Sequence, residues 1–227
     1  MRDFIKIINK TNLKHVIILL FLLSIFIFIS AVSYVDAVST NIANSVFRLH
    51  VIANSDSDED QELKYNVRDE LLKYMNTISE NCSSKEDVIK LAIEHKDDFE
   101  KIAKEVIKEN GYNYDVNIKI GQFDFPTKDY GDISLPAGLY DALRVEIGEA
   151  KGQNWWCVMF PPLCFVDVTS GVVPNSSKEL LQDNLDDEEY SLINKNNSEN
   201  EGITFKFKLI EFFQNLVLSK KIDMIKF

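Results

Sequence analysis

Cysteine, histidine and clustered positive charge are all scarce in this chain. Three cysteines and three histidines occur among 227 residues, so disulfides cannot be the main scaffold of the fold. The 25 basic residues are outnumbered by 36 acidic ones, which leaves a formal net charge of -11 at pH 7. Because nucleic-acid binding without sequence preference needs clustered cations that neutralise phosphates, this balance argues against DNA or RNA as a partner.

Glycine and proline are also infrequent, with eight and five residues, which excludes a collagen-like or low-complexity chain. Hydrophobic residues make up 45% of the sequence and aromatic residues 11%. A chain of this length and composition is expected to form one domain with a packed core, together with appendages.

One uncharged apolar run, VIILLFLLSIFIFISAVSYV, occupies residues 16–35. As a helix, its 20 residues are long enough to cross the roughly 30 Å hydrocarbon layer of a membrane. Four lysine or arginine residues and a single acid precede it, so the positive-inside rule places residues 1–15 in the cytoplasm and the rest of the chain outside. Val35-Asp36-Ala37 has small residues at the spacing of a signal-peptidase site. The run is therefore a signal peptide or an uncleaved membrane anchor, with the same topology in both cases.

The exported part predicts an α+β domain, with helices packed on a mostly antiparallel sheet. Residues 45–53 alternate between apolar and polar, as in a strand. Apolar residues recur at helical spacing from 58 to 78 and again from 88 to 106, and Ser83 with Glu86 makes a capping-box pattern before the second helix. The polar patch at 95–98 is expected to bend or divide that second helix. Apolar and polar residues alternate again between residues 114 and about 168, which predicts further strands. Within it, residues 155–160 are apolar on both faces and are therefore predicted to form a central strand.

Composition divides the chain further. The segment after the folded domain is rich in Asn, Ser and acid, which predicts a solvated linker. The final residues alternate like a strand and then repeat like a helix, so we expect them to return to the domain. The predicted parts are a basic cytoplasmic N-terminus (1–15), the apolar segment (16–35), a polar spacer (36–44), the α+β domain (45–171), the acidic linker (172–202) and a strand and helix tail (203–227).

Asp56, Asp58 and Asp60 have the spacing of the first ligands in a calcium-binding loop. The match fails later, because Gln61 stands where the turn needs glycine and Val67 stands where a bidentate glutamate should follow. The sequence therefore favours acids that stabilise a helix N-terminus. We expect no metal and no cofactor.

Cys157 and Cys164 flank a Pro-Pro corner, and their spacing does not fit a zinc site. Outside the cytoplasm they could form a disulfide, with two buried free thiols as the alternative. A hydrolase would need Cys157 or a serine beside a histidine base. The histidines after the apolar run, His50 and His95, lie in no recognisable catalytic signature, so we expect no catalytic residues and no small-molecule substrate.

Five sequence segments together resemble the stage II sporulation protein R family of endospore-forming bacteria. The five segments in their order, ending in NWWCVMFPPLCF, are together highly specific, and the core residues of that last motif are Trp155, Trp156, Phe160, Pro161 and Pro162. In chain order, the segments are Phe47–Ser57, Val67–Asp69, Phe125–Lys128, Pro136–Tyr140 and Asn154–Phe165.

The resemblance implies an intercompartmental signal. A protein of this family is made in the forespore and acts at the forespore membrane or in the intermembrane space. There it activates a membrane-embedded aspartic protease of the mother cell, which processes the precursor of sigma-E. Two alternatives stay open at this point, a secreted or anchored hydrolase that uses Cys157 or a Ser/His pair and a membrane-anchored structural protein.

For contact with the protease we single out polar residues in two segments, because loops on a rigid sheet often carry recognition. An equally weighted alternative is that Arg68 and Asp69 only pair on a helix surface and that Asn54 only caps a turn. The tail at residues 209–216 is a rival docking element. The candidate contact residues are Asn54, Asp56, Arg68, Lys128, Asp129 and Tyr130.

Overall fold

The computed structural model describes residues 2–164 and 173–195, with side chains described from residue 13 onward apart from 35 and 36. The chain divides after Val38 into two units. The first unit is built on helix α1 (Arg2–Ser45), which continues into the second unit. Within the described residues, this helix is long and apolar enough to cross a membrane, and its apolar side chains between Leu13 and Tyr34 are exposed. This helix is therefore the candidate for the expected N-terminal membrane segment.

Between residues 47 and 160 the second unit contains a strand, then helices and then further strands, in the order that the sequence predicts. A helix pair separated at His95 replaces one long second helix, which confirms the expected division at the polar patch. The elements are β1 (Phe47–Ile52), α2 (Asp58–Ile78), α3 (Lys85–Glu94), α4 (Lys96–Glu109), β2 (Val116–Phe125), β3 (Lys128–Tyr130), β4 (Ile133–Leu135), β5 (Gly138–Ile147), β6 (Asn154–Phe160), α5 (Asn175–Asn184) and α6 (Asp187–Ile193).

The sheet has the strand order β2-β5-β1-β6. Strand β1 pairs in parallel with β5, while the β1–β6 and β2–β5 pairs are antiparallel. The mostly antiparallel sheet with helices confirms the predicted α+β class. The prediction that residues 155–160 form a central strand is wrong, since β6 is paired only with β1 within the described residues.

The first face of the sheet packs against helices α2, α3 and α4. Phe47, Leu49 and Val51 of β1 belong to a buried apolar cluster that continues through the helices. Helix α2 begins at a favourable cap, because the Ser57 side chain accepts a hydrogen bond from the backbone N–H of Asp60. Acidic residues in the first turn of α2 lie near the positive end of its dipole.

The sequence predicts that residues 36–44 form a polar spacer, and this prediction is wrong for the second half of the segment. Residues 39–45 are helical and belong to the folded unit, and Ile42 is fully buried. The Lys85 ammonium donates a hydrogen bond to the Ala43 carbonyl over 3.1 Å and lies 2.7 Å from the Asp141 carboxylate. A cation at a helix C-terminus is electrostatically favourable, so this contact stabilises the end of α1.

The prediction of a solvated linker is wrong for residues 173–195, which form α5 and α6. Leu181 and Ile193 are fully buried, and Lys178 pairs with Asp132. A capping box between Asp186 and Glu189 begins α6. Residues 196–202 and the predicted tail at 203–227 lie outside the described residues.

Candidate functional site

The loop between β1 and α2 is held by a buried carboxylate. Asp60 accepts hydrogen bonds from the Asn54 amide over 2.8 Å and from the Ser55 hydroxyl over 2.5 Å. Burial raises the pKa of Asp60, but the hydrogen bonds from Ser55, Asn54 and Tyr114 outweigh it and keep that pKa below its ordinary value. The carboxylate is therefore a charged acceptor around which the loop is organised.

Asn54 is a structural residue of this loop. Its side-chain oxygen accepts a hydrogen bond from the backbone N–H of Glu149 over 2.9 Å, which ties the loop to the turn after β5. Gly148 adopts a φ of +57°, and a Cβ atom there would lie within 3 Å of the Asn54 side chain. Asp56 remains exposed at the tip of the loop. Of these two predicted contact residues, Asp56 is thus the more accessible one.

Arg68 on α2 lies against the first tryptophan of β6. Its guanidinium carbon is 4.4 Å from the Trp155 ring centre and 5.0 Å from the Tyr65 ring centre, within the range of cation–π attraction. Arg68 also pairs with Asp69 at 2.6 Å, and its side chain is 18% exposed. The helix-surface pair that we considered as the alternative role of Arg68 is therefore present.

The segment Lys128, Asp129 and Tyr130 is strand β3, which pairs with β4 in a hairpin. Lys128 and Asp129 are exposed, and Asp129 pairs with Lys195 at 2.7 Å. Tyr130 is only 8% exposed, and its hydroxyl accepts a hydrogen bond from Arg48 over 2.6 Å. A role for Tyr130 as a surface contact is incompatible with this burial, because the ring fills the space between the hairpin and the sheet.

The predicted contact residues do not form one surface. Arg68 covers Trp155 on the helix-covered face of the sheet, whereas Tyr130 contacts Arg48 on the second face. The alternation of β1 explains the separation, since Arg48 points away from the core that contains its neighbours Phe47 and Leu49. Contact through both segments at once would need a partner that wraps around the sheet.

Arg48, within the family-like segment Phe47–Ser57, is a candidate functional residue whose role the sequence does not indicate. Its side chain is 0% exposed, and its guanidinium carbon lies 4.0 Å from the Phe125 ring centre and 4.5 Å from that of Tyr140. No carboxylate pairs with it in the part of the chain that the structure describes. Burying a cation is costly, and here the aromatic rings and the Tyr130 hydroxyl offset part of that cost. A charged residue inside an otherwise apolar motif was the signal available in the sequence.

His50 follows on the same face and stacks on the second tryptophan of β6. The ring centres of His50 and Trp156 are 3.7 Å apart, with 22° between the planes. His50 Nε2 lies 2.7 Å from the Asn154 side-chain oxygen. Burial lowers the pKa of His50 to about 4, although the hydrogen bond to Asn154 opposes this shift. His50 is therefore neutral near pH 7, and its Nε2 atom is hydrogen-bonded to the Asn154 side chain.

Cys157 and Cys164 are paired in the structure, with a Cα separation of 5.4 Å that suits a disulfide. They enclose the corner of Phe160, Pro161 and Pro162, of which Phe160 is 4% exposed. A paired Cys157 has no thiolate to act as a nucleophile. Cys157 faces the apolar core, whereas His50 lies on the other face of the sheet, so the two are not placed as a nucleophile and its base.

A family model described as stage II sporulation protein R matches residues 43–170. The chain belongs to this family. A curated relative, the stage II sporulation protein R of Bacillus subtilis (strain 168), is 35% identical over 185 residues, which cover 77% of this chain and 83% of the relative. No solved structure matches. The resemblance stated from the sequence motifs is thereby confirmed, and a role in sporulation follows from the family.

The family match spans all six strands and both faces of the sheet. It starts at Ala43, inside the last turn of α1, where Lys85 contacts the helix end. The loop around Asp60, the Arg48 cluster and the two tryptophans thus all lie within the region that defines the stage II sporulation protein R family.

Proposed function

We propose that this protein is an extracytoplasmic signal that activates a membrane-embedded aspartic protease of the mother cell, which then processes the sigma-E precursor. The observation that carries the proposal is the family match over residues 43–170 together with 35% identity to the relative from Bacillus subtilis. These findings support a sporulation role, and the protease is the partner that the family resemblance implies.

Export from the forespore fits the physical properties of the N-terminus. Helix α1 carries the long apolar run, and basic residues precede that run. The positive-inside rule then directs the second unit outward, to the forespore membrane surface or the intermembrane space. Pairing of Cys157 with Cys164 is compatible with such a compartment, since disulfides persist outside the reducing cytoplasm.

Activation by binding explains the role without a reaction catalysed by this chain. A ligand shifts an equilibrium between inactive and active protease only by binding the active form more tightly. The rigid sheet with its motif residues is suited to that task. The hydrolase alternative finds little support, because Cys157 is paired and His50 is buried beneath Trp156.

The test is reconstitution in a host that does not sporulate. The full chain, the protease and the sigma-E precursor are produced together, and cleavage of the precursor is followed by immunoblot. We expect cleavage only when all three proteins are present. A chain without residues 16–35 is the matched control, because it lacks the segment that directs export and should leave the precursor intact.

Cleavage of the precursor at the same rate without this chain would contradict the proposal. Cleavage supported equally by the chain that lacks residues 16–35 would remove the extracytoplasmic site of action. An inactive protease variant, with its catalytic aspartate replaced, must abolish cleavage and so excludes hydrolysis by this chain itself.

A further inference from the structure

Among the residues that the structure describes, the second face of the sheet is covered at one end and open at the other. At the covered end, Phe125, Tyr130 and Tyr140 enclose Arg48. At the other end, one row of side chains crosses all four strands, as the pairing registers show. This cross-strand row consists of Lys119 on β2, Arg144 on β5, His50 on β1 and Trp156 on β6.

The cross-strand row presents positive charge on an acidic protein. The side chains of Lys119 and Arg144 are 47% and 30% exposed. Both pair with the same carboxylate, Glu146, at 2.7 Å and 3.0 Å. Two cations share one anion, so the row keeps an excess of positive charge although the whole chain has a formal net charge of -11.

The carboxylate between the two cations is firmly ionised. Burial raises the pKa of Glu146, but the hydrogen bond and charge of Lys119 and the charge of Arg144 outweigh that effect and lower it. Neutral His50 adds no charge to the row. The positive excess therefore persists over the neutral pH range and does not depend on a titrating histidine.

Aromatic surface borders these charges on both sides. The Arg144 guanidinium carbon lies 5.3 Å from the Phe123 ring centre, and both Phe123 and Trp156 are partly exposed. Aromatic rings beside arginine are the composition found at the centres of protein interfaces. Because the residues stand on paired strands, their backbone is already ordered before binding, and only side chains remain to be immobilised.

We propose that the cross-strand row docks an acidic, extracytoplasmic peptide segment of the protease. Carboxylates of that segment would pair with Arg144 and Lys119, and its apolar side chains would pack on Phe123 and Trp156. The proposal rests on the proposed function and names the surface through which it acts. Charge complementarity carries it, since the row is a positive site on a negatively charged protein.

The first experiment reverses the charge of the row in the full chain. The double variant Lys119→Glu/Arg144→Glu is compared with Lys101→Glu/Lys104→Glu on α4, which alters two ion-paired lysines on the helix-covered side. Binding of each detergent-solubilised full chain to the detergent-solubilised protease is titrated. We expect the row variant to bind at least about tenfold more weakly and the α4 variant to stay within about twofold of wild type.

The same variants are also tested in the reconstitution with the protease and the sigma-E precursor. This separates failure of the proposed function from failure of the docking proposal. If the wild-type chain fails to cause cleavage, the proposed function falls. If the wild-type chain causes cleavage and the row variant binds and signals equally well, the docking proposal is overturned while the proposed function stands. Binding of the row to anionic vesicles with no loss of protease binding in the variant would also overturn it.

A milder variant and a rescue experiment distinguish loss of the binding contact from loss of the fold. Lys119→Gln changes a half-exposed side chain and should weaken binding less than the double reversal, with unchanged thermal unfolding. Replacing acidic residues of the protease segment by lysine should restore binding to Lys119→Glu/Arg144→Glu. If no change of an acidic residue to lysine in the protease restores binding, an electrostatic contact at the cross-strand row is contradicted.

Discussion

The two faces of the sheet are built by different means. The first face buries Leu49 and Val51 against the helices, and its stability follows from apolar area removed from water. The second face buries Arg48 and His50, and it depends on aromatic rings and a few hydrogen bonds to compensate for polar groups. The difference indicates that the first face maintains the fold by apolar packing, while the second buries polar groups whose lost hydration must be offset by specific contacts.

The largest loss of unfolding free energy is expected from a substitution on the first face. Leu49→Ala removes a fully buried side chain from the apolar cluster, so the free energy of unfolding should fall by about 3 kcal/mol. Urea unfolding of the detergent-solubilised full chain, followed by tryptophan fluorescence, measures this change.

Arg48→Met is the matched variant on the second face, one residue away. It replaces a buried cation without a carboxylate partner in the described chain by an apolar side chain of similar length. The free energy of unfolding should change by no more than about 1 kcal/mol, because the lost hydrogen bond is offset by the relief of burying a charge. Equal losses in both variants would contradict the distinction between the faces.

Breaking the bond between Cys157 and Cys164 should cause the next largest loss of unfolding free energy. Cys157 and Cys164 are 7 residues apart, and closing so short a loop stabilises a protein by about 2.5 kcal/mol in the chain-entropy description. Reductant should lower the unfolding free energy of the wild type by this amount and leave the double variant Cys157→Ser/Cys164→Ser unchanged. Mass spectrometry without reductant checks the bond directly, and free thiols at both positions would refute it.

The second face should also respond to pH. Because burial lowers the pKa of His50 from 6.5 to about 4, the unfolded chain binds a proton that the folded chain does not in this range. The contribution of His50 to the unfolding free energy is therefore fully present above about pH 6.5 and is lost as the pH falls toward about 4.

This pH effect is isolated by comparison with His50→Gln. From about pH 7 to about pH 5, the wild type should lose about 2 kcal/mol more unfolding free energy than the variant does. Identical pH profiles for the two proteins would show that His50 titrates normally in the folded state.

The smallest effects on stability are expected from two of the sequence-predicted contact residues, Arg68 on α2 and Asp56 in the loop before it. Arg68→Ala should cost about 1 kcal/mol of unfolding free energy, because a partly exposed ion pair and a cation–π contact are lost. Asp56→Ala at the exposed loop tip should cost less than about 0.5 kcal/mol. If either variant abolishes precursor cleavage while it remains folded, the region around that residue, and not the cross-strand row alone, contacts the protease.

Much of the fold was predictable because it depends on local periodicity. The helix at 58–78 and the break at His95 follow from apolar spacing and a polar interruption. Capping was predicted less well, since Ser84 and not Ser83 caps α3. Neighbouring serines offer the same chemistry, and only the path of the chain selects one of them.

The candidate site was less predictable because strand order is not local. Strand β6 is apolar on both faces like a central strand, yet it lies at an edge where Arg68 and His50 cover its two tryptophans. Tyr130 is buried because the β3–β4 hairpin packs on Arg48, an arrangement that no spacing in the sequence indicates. The helical segment at 173–195 was missed because its few apolar residues, such as Leu181, stand among many acids.

Photo-crosslinking in cells tests the central claim most directly, namely that the second face of an exported sheet contacts the protease. A photoreactive amino acid is placed at position 119 or, as the control, at position 101 of the full chain, together with the protease and the precursor. The account predicts an adduct with the protease from position 119 and none from position 101. Adducts from position 101 alone, or precursor cleavage with no adduct from position 119, would contradict it.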